Sequence, residues 1–142
     1  MKIKKNVIEH ICENVAGSLS ETGGILGSGD GEIVSEVIMD NLRTEYCRCS
    51  YEPNVRFFNR CIDKWQKEKK YFIGIFHTHF FNIKTLSPAD VKYINTIINA
   101  MPDEVDQLYF PIFTIPDNEL ICYKASRSNN EVNIEKEMLE IV

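Results

Sequence analysis

From Asn6 to Val15 the apolar residues Val7, Ile8, Ile11 and Val15 recur at helical spacing, and the pattern stops near Gly17. This predicts an N-terminal amphipathic helix. The period then changes. Glu21-Thr22-Gly23-Gly24-Ile25-Leu26-Gly27, the turn-forming Ser28-Gly29-Asp30-Gly31 and the Val- and Ile-rich stretch from Glu32 to Met39 read as two short strands joined by a glycine-rich turn. No Gly-Lys-Ser/Thr follows these glycines and no helical pattern opens after them, which argues against a phosphate loop. Close backbone packing is the expected reason for them.

Residues 41 to 52 mix polar and aromatic types, and Pro53 opens a predicted helix to about Lys70, with Phe57, Phe58, Cys61, Ile62 and Trp65 along one side. The nearly continuous apolar run Tyr71 to Phe76 predicts a strand buried on both faces, and it ends at His77-Thr78-His79. After a short loop, Ser87-Pro88-Ala89-Asp90 begins another amphipathic helix traced by Val91, Ile94, Ile97 and Ile98. Leu108 to Ile115 and Glu119 to Lys124 read as a hairpin around Pro116-Asp117-Asn118, and the acidic tail from Glu135 reads as helical or frayed. Without repeats or low-complexity segments, the expected architecture is a single α/β domain over residues 1–142, with helices flanking a mixed sheet.

Composition narrows the partners. The net charge is −5, with acidic and basic residues interspersed, so the clustered basic face of a nucleic-acid binder is not expected. The one basic run, Lys64, Lys67, Lys69 and Lys70, reads as a solvated helix end. No stretch reaches the roughly 18 apolar residues of a membrane span, and the N-terminus lacks a signal-peptide core; no membrane partner and a cytoplasmic location are expected. The cysteines, Cys12, Cys47, Cys49, Cys61 and Cys122, are five in number and follow no disulfide spacing, which fits a reducing compartment. Cys47 and Cys49 form a Cys-x-Cys pair with no second pair nearby, and His10 is a lone helical histidine; neither is assigned to the site.

Residues i and i+2 of a strand point to one face roughly 7 Å apart, so His77 and His79 can aim at a single point beyond the strand. Two histidines on one strand face can equally be surface decoration. A hydrolytic zinc site needs three protein ligands and an open fourth position, and Asp90, in the first turn of the next helix, is a candidate third ligand. Ser87-Pro88-Ala89-Asp90 is also an ordinary helix start, with Ser at the N-cap, Pro at the first helical position and an acid three residues after the cap.

Taken together, His77-Thr78-His79, seven residues, Ser87, two residues and Asp90 reproduce a pattern that would arise by chance in roughly one chain in several thousand of this length. It resembles the His-x-His-x7-Ser-x2-Asp motif of the JAB/JAMM (MPN) metalloproteases, whose fold is a cytidine-deaminase-like mixed sheet flanked by helices. The segment starting at Glu21 resembles the glutamate-bearing strand of that family, and the likeness spans about residues 3 to 125. Thr78 stands where serine is common, and Phe80 stands where proline is frequent.

The resemblance implies one zinc per chain, held by His77, His79 and Asp90, with Glu21 moving protons and Ser87 binding the oxyanion. Phe80 and Phe81 put apolar surface beside the metal, where they either shape a substrate channel or cover the loop. The implied reaction is isopeptide or peptide hydrolysis at the C-terminal glycine of a ubiquitin-like or sulfur-carrier protein. Two other readings stand beside it: a non-catalytic, zinc-stabilised protein-binding module, and a peptidase for small peptides. The short segments from Gly27 to Gly74 and from His79 to Ser87 leave little room for the insertions of linkage-selective members, so polyubiquitin selectivity is not expected.

Overall fold

The apolar run that begins at Tyr71 forms the central strand, and the rest of the molecule is arranged around it. The structure, a computed structural model, describes residues 1–40 and 51–142; Cys47 and Cys49 lie outside the described residues. In chain order the elements are β1 (Lys2–Ile3), α1 (Lys5–Val15), β2 (Gly23–Ser28), β3 (Ile33–Val34), β4 (Glu36–Met39), α2 (Val55–Lys67), β5 (Tyr71–His79), α3 (Pro88–Ala100), β6 (Gln107–Tyr109), β7 (Ile112–Thr114), β8 (Leu120–Ser128), β9 (Glu131–Glu137) and β10 (Glu140–Ile141).

On one side, β5 pairs antiparallel with β2, which pairs antiparallel with β4. On the other side it runs parallel to β6 and then β7, both antiparallel to β8, and β9 completes the sheet beside β8. A small parallel sheet, β10-β1-β3, ties the two ends of the described chain together.

Strand alternation divides the core into two layers. Ile25 of β2 and Ile75 of β5 face Phe58 and Trp65 of α2 and Ile94 and Ile98 of α3. Their neighbours Leu26 and Phe76 face Val7, Ile11 and Val15 of α1. Each large apolar side chain fully buried in this way contributes on the order of 1.5–3 kcal/mol. The strand predicted to be buried on both faces is β5, covered by a helical layer on each side; it is buried from Gly74 to His79, while Tyr71 is exposed and Phe72 and Ile73 are half-buried.

The glycines of β2 serve close approach. A Cβ at Gly27 would stand 2.8 Å from the Trp65 ring, and one at Gly23 would stand 2.6 Å from the Tyr51 ring and collide with the Phe76 carbonyl oxygen. On β5, Gly74 lies directly against the Tyr109 carbonyl, with no room for a side chain.

Several boundaries differ from the sequence expectation. Helix α2 ends at Lys67; Lys70 lies beyond it and pairs with Glu36 at 2.8 Å and Glu68 at 3.0 Å, while Lys64 pairs with Glu68 at 3.9 Å. The expected strand from Leu108 to Ile115 is interrupted at Phe110-Pro111, giving β6 and β7, because proline has no N–H to continue a ladder. The tail expected to be helical or frayed is strand: β9 pairs with β8 from Ser128↔Glu131 to Cys122↔Glu137. No helix among the described residues is long and apolar enough to cross a membrane.

Candidate metal centre

The alternation that turns Ile75 toward α3 turns His77 and His79 the same way. Both histidines belong to β5, because β7 pairs beside them: His77↔Ile112, Thr78↔Phe113 and His79↔Thr114. The imidazoles therefore stand on a paired strand. The chain leaves the sheet through Phe81 and Asn82, both left-handed at φ 58° and 54°, and returns to start α3.

Ser87 caps that helix. Its Oγ accepts from the Asp90 N–H at 3.1 Å, and the Ser87 N–H donates to Asp90 Oδ2 at 2.7 Å, completing a capping box. The cap holds the Asp90 carboxylate against the histidines. Asp90 Oδ1 lies 3.2 Å from His77 Nε2, Asp90 Oδ2 lies 3.1 Å from His79 Nε2, and the two Nε2 atoms are 2.8 Å apart. Helix start and donor cluster are thus one structure.

The donor set fits a zinc ion. Two imidazole nitrogens and one carboxylate oxygen are ordinary zinc ligands, and tetrahedral bonds of 2.0–2.1 Å separate ligand atoms by about 3.3 Å. The observed spacings of 2.8, 3.2 and 3.1 Å need only a slight spreading. Outer contacts orient the rings. His79 Nδ1 faces the Ile83 carbonyl at 3.1 Å, so it carries the hydrogen and leaves the Nε2 lone pair toward the centre. His77 Nδ1 meets the Tyr93 hydroxyl at 3.0 Å, and the His77 ring lies nearly parallel to Tyr51, 6.1 Å away.

Charge is arranged to keep the donors available. Burial lowers the pKa of His77, which favours its neutral, ligating form. At Asp90 burial acts upward, but the hydrogen bonds and charges of His77 and His79 outweigh it and hold the carboxyl well below its ordinary range. Burial raises the Glu21 carboxyl, opposed by His79 and reinforced by the negative charge of Asp90.

Glu21 lies just before β2 and lines a cavity of about 390 Å³ together with His79, Ser87 and Asp90, walled by Tyr51, Ile83 and Leu86. Among the described residues, His77, His79 and Asp90 are the one group of such donors placed to hold a metal ion. A larger cavity, of about 520 Å³, lies between Tyr71 and Tyr109; it contains carboxylates but no histidine. Phe80 and Phe81 follow the histidine strand without lining the site cavity, and Phe81 is 86% exposed.

Two neighbours of the centre escaped the sequence reading. Tyr93 carried a signal, since it stands three residues after Asp90 on the same helical face. Tyr51 carried none, because its place beside His77 depends on packing between distant segments.

No family model matches the chain, and no curated protein matches it. Solved structures do. The solution structure of protein DSY2949 from Desulfitobacterium hafniense matches with a TM-score of 0.67 at 19% identity, over 99% of this chain and 93% of that one. The crystal structure of AF2198, a JAB1/MPN domain protein from Archaeoglobus fulgidus, matches with a TM-score of 0.58 at 19% identity, over 100% of this chain and 99% of that one. The chain has a JAB1/MPN fold, carrying a His77, His79 and Asp90 group that can hold a metal ion.

Proposed function

We propose that this protein is a zinc-dependent peptidase or isopeptidase that cleaves after the C-terminal glycine of a ubiquitin-like or sulfur-carrier protein. The observation that carries the reading is a three-donor centre opening into a cavity that also holds a non-ligand carboxylate, Glu21. A closed structural site uses four protein ligands and has no task for such an acid. This favours the enzyme over the non-catalytic module.

His77, His79 and Asp90 would hold the ion. Zinc, when bound, supplies Lewis acidity, polarising the amide carbonyl and making water acidic enough to lose a proton near neutral pH. Glu21 accepts that proton and releases it to the departing amine nitrogen. The products are a free carboxylate and a free amine, with one water consumed. Ser87 uses its oxygen lone pair for the Asp90 N–H, which leaves its hydroxyl hydrogen to meet the developing oxyanion.

Ser87→Ala is expected to cost about 3 kcal/mol of transition-state stabilisation, measured as kcat/KM. It should also cost about 1 kcal/mol of folding stability through loss of the cap. A variant whose activity falls no further than its folded fraction would remove the oxyanion role.

The substrate is tested by joining the tail of a ubiquitin-like protein to a reporter through an amide bond. A Gly-Gly junction should be cut and a Val-Val junction spared, since an extended tail gains main-chain hydrogen bonds and small residues let its amide come closest to the buried donors. Equal cleavage of both would overturn the glycine preference. Hydrolysis of short peptides alone, by the same Glu21, would move the assignment to a general peptidase.

A further inference from the structure

Thr78 stands between the two histidines, and alternation points its side chain away from them. It is fully buried, and its hydroxyl bonds the main chain of Thr22 rather than a donor. Its partner is the backbone of Thr22, the residue after Glu21. The Thr78 N–H donates to the Thr22 carbonyl at 2.8 Å, and the Thr22 N–H donates to Thr78 Oγ1 at 2.9 Å. The hydroxyl itself reaches the Thr22 carbonyl at 3.3 Å.

The last ladder pair of β2 and β5 is Gly23↔His77. In a regular antiparallel ladder, a hydrogen-bonded Thr22–Thr78 pair would exchange both bonds between main-chain atoms. Here the returning bond goes to the hydroxyl. The ladder ends on a side chain, and the chain departs from the sheet at Glu21, which lines the metal cavity.

From this geometry we infer that Thr78 is the positioning residue for Glu21: its hydroxyl clamps Thr22 and so sets the distance between the proton-carrying carboxylate and the metal centre. The same strand residue that separates the two histidine donors thereby registers the acid to them. The inference rests on the hydrolytic reading for its kinetic consequence, but the clamp itself is a property of the metal-free fold.

The test pairs Thr78→Val, which keeps the shape and removes the hydroxyl, with Thr78→Ser, which restores it. Misplacement of a catalytic group by about 1 Å costs on the order of 100-fold. On the Gly-Gly amide substrate, zinc-loaded Thr78→Val should therefore lose about 100-fold in kcat with KM little changed, and Thr78→Ser should recover most of it. Zinc content and the cobalt-substituted absorption spectrum should match wild type in both.

Amide hydrogen exchange, followed by NMR on the metal-free protein, reads the clamp without any turnover. The Thr22 amide should be protected in wild type and in Thr78→Ser, and should exchange faster in Thr78→Val. An unprotected Thr22 amide in wild type overturns the inference even if Thr78→Val fails to fold. So does wild-type kcat in a folded Thr78→Val. If wild type binds zinc but hydrolyses nothing while the Thr22 amide remains protected, the proposed function fails and the clamp stands.

Discussion

Glu21→Gln is expected to lower kcat by about 10²- to 10⁴-fold while the zinc content stays at the wild-type level. The range is that of a positioned general acid–base. The substitution is close to isosteric and removes only the capacity to take up and release a proton. Glu21 is outside the donor group, so the substitution leaves all three donors in place. It is also half-buried beside Asp90, and burial raises its carboxyl pKa. Its ionised form carries a desolvation cost that glutamine does not, so the variant should melt no lower than wild type. A folded, zinc-loaded Glu21→Gln enzyme with wild-type turnover would show that the proton moves by another route and would remove the argument against a structural site.

That separation between a ligand and a non-ligand acid was legible in the sequence only through the resemblance to the JAB/JAMM motif. The two-residue period of a strand put His77 and His79 on one face, but Ser87-Pro88-Ala89-Asp90 by itself reads as an ordinary helix start, and Glu21 entered through the resemblance alone. The helices were legible from their own periods: α1, α2 and α3 carry apolar faces, and α3 begins at the expected cap, Ser87, whereas α2 begins at Val55 with Asn54 as its cap, after the proline expected to open it. The fold class of helices on a mixed sheet followed from these elements.

The tail was misread because β9 lies at the edge of the sheet. Only Val132, Ile134 and Glu137 of its seven residues are even partly buried, so its apolar alternation is faint and its charges suggest solvent. The overlooked signal was the turn before it. Asn129 and Asn130 both adopt left-handed backbone, at φ 50° and 62°, the conformation that two-residue hairpins require and that asparagine tolerates. Strands β1 and β10 were illegible for a different reason. Each is two residues long, and their pairing joins segments far apart in sequence, which no local period records. For the same reason the single strand expected from Glu32 to Met39 did not show its division into β3, which pairs with β1, and β4, which pairs with β2.

Asp90→Asn is expected to lower zinc affinity by more than about 100-fold, beyond the 10- to 100-fold that loss of an outer-sphere partner costs. The reasoning begins with what the side chain does twice. Asp90 Oδ2 accepts the Ser87 N–H at 2.7 Å and meets His79 Nε2 at 3.1 Å, while Oδ1 meets His77 Nε2 at 3.2 Å. Asparagine retains one acceptor oxygen for the cap but presents an uncharged amide to the centre, where the NH2 group cannot ligate. Ser87→Ala weakens the same cap from the other side and leaves the carboxylate charged. A comparison of the two variants therefore separates helix capping from ligation. Metal analysis after dialysis against a weak chelator should find zinc in Ser87→Ala and little in Asp90→Asn. In wild type, retention should fall as the pH is lowered, because protons compete with the metal for the imidazole lone pairs. His77, whose pKa burial holds below the ordinary imidazole value, should be the last of the two histidines to yield. Full zinc retention by Asp90→Asn in that dialysis would remove Asp90 from the ligand set and leave Ser87-Pro88-Ala89-Asp90 as a helix start alone.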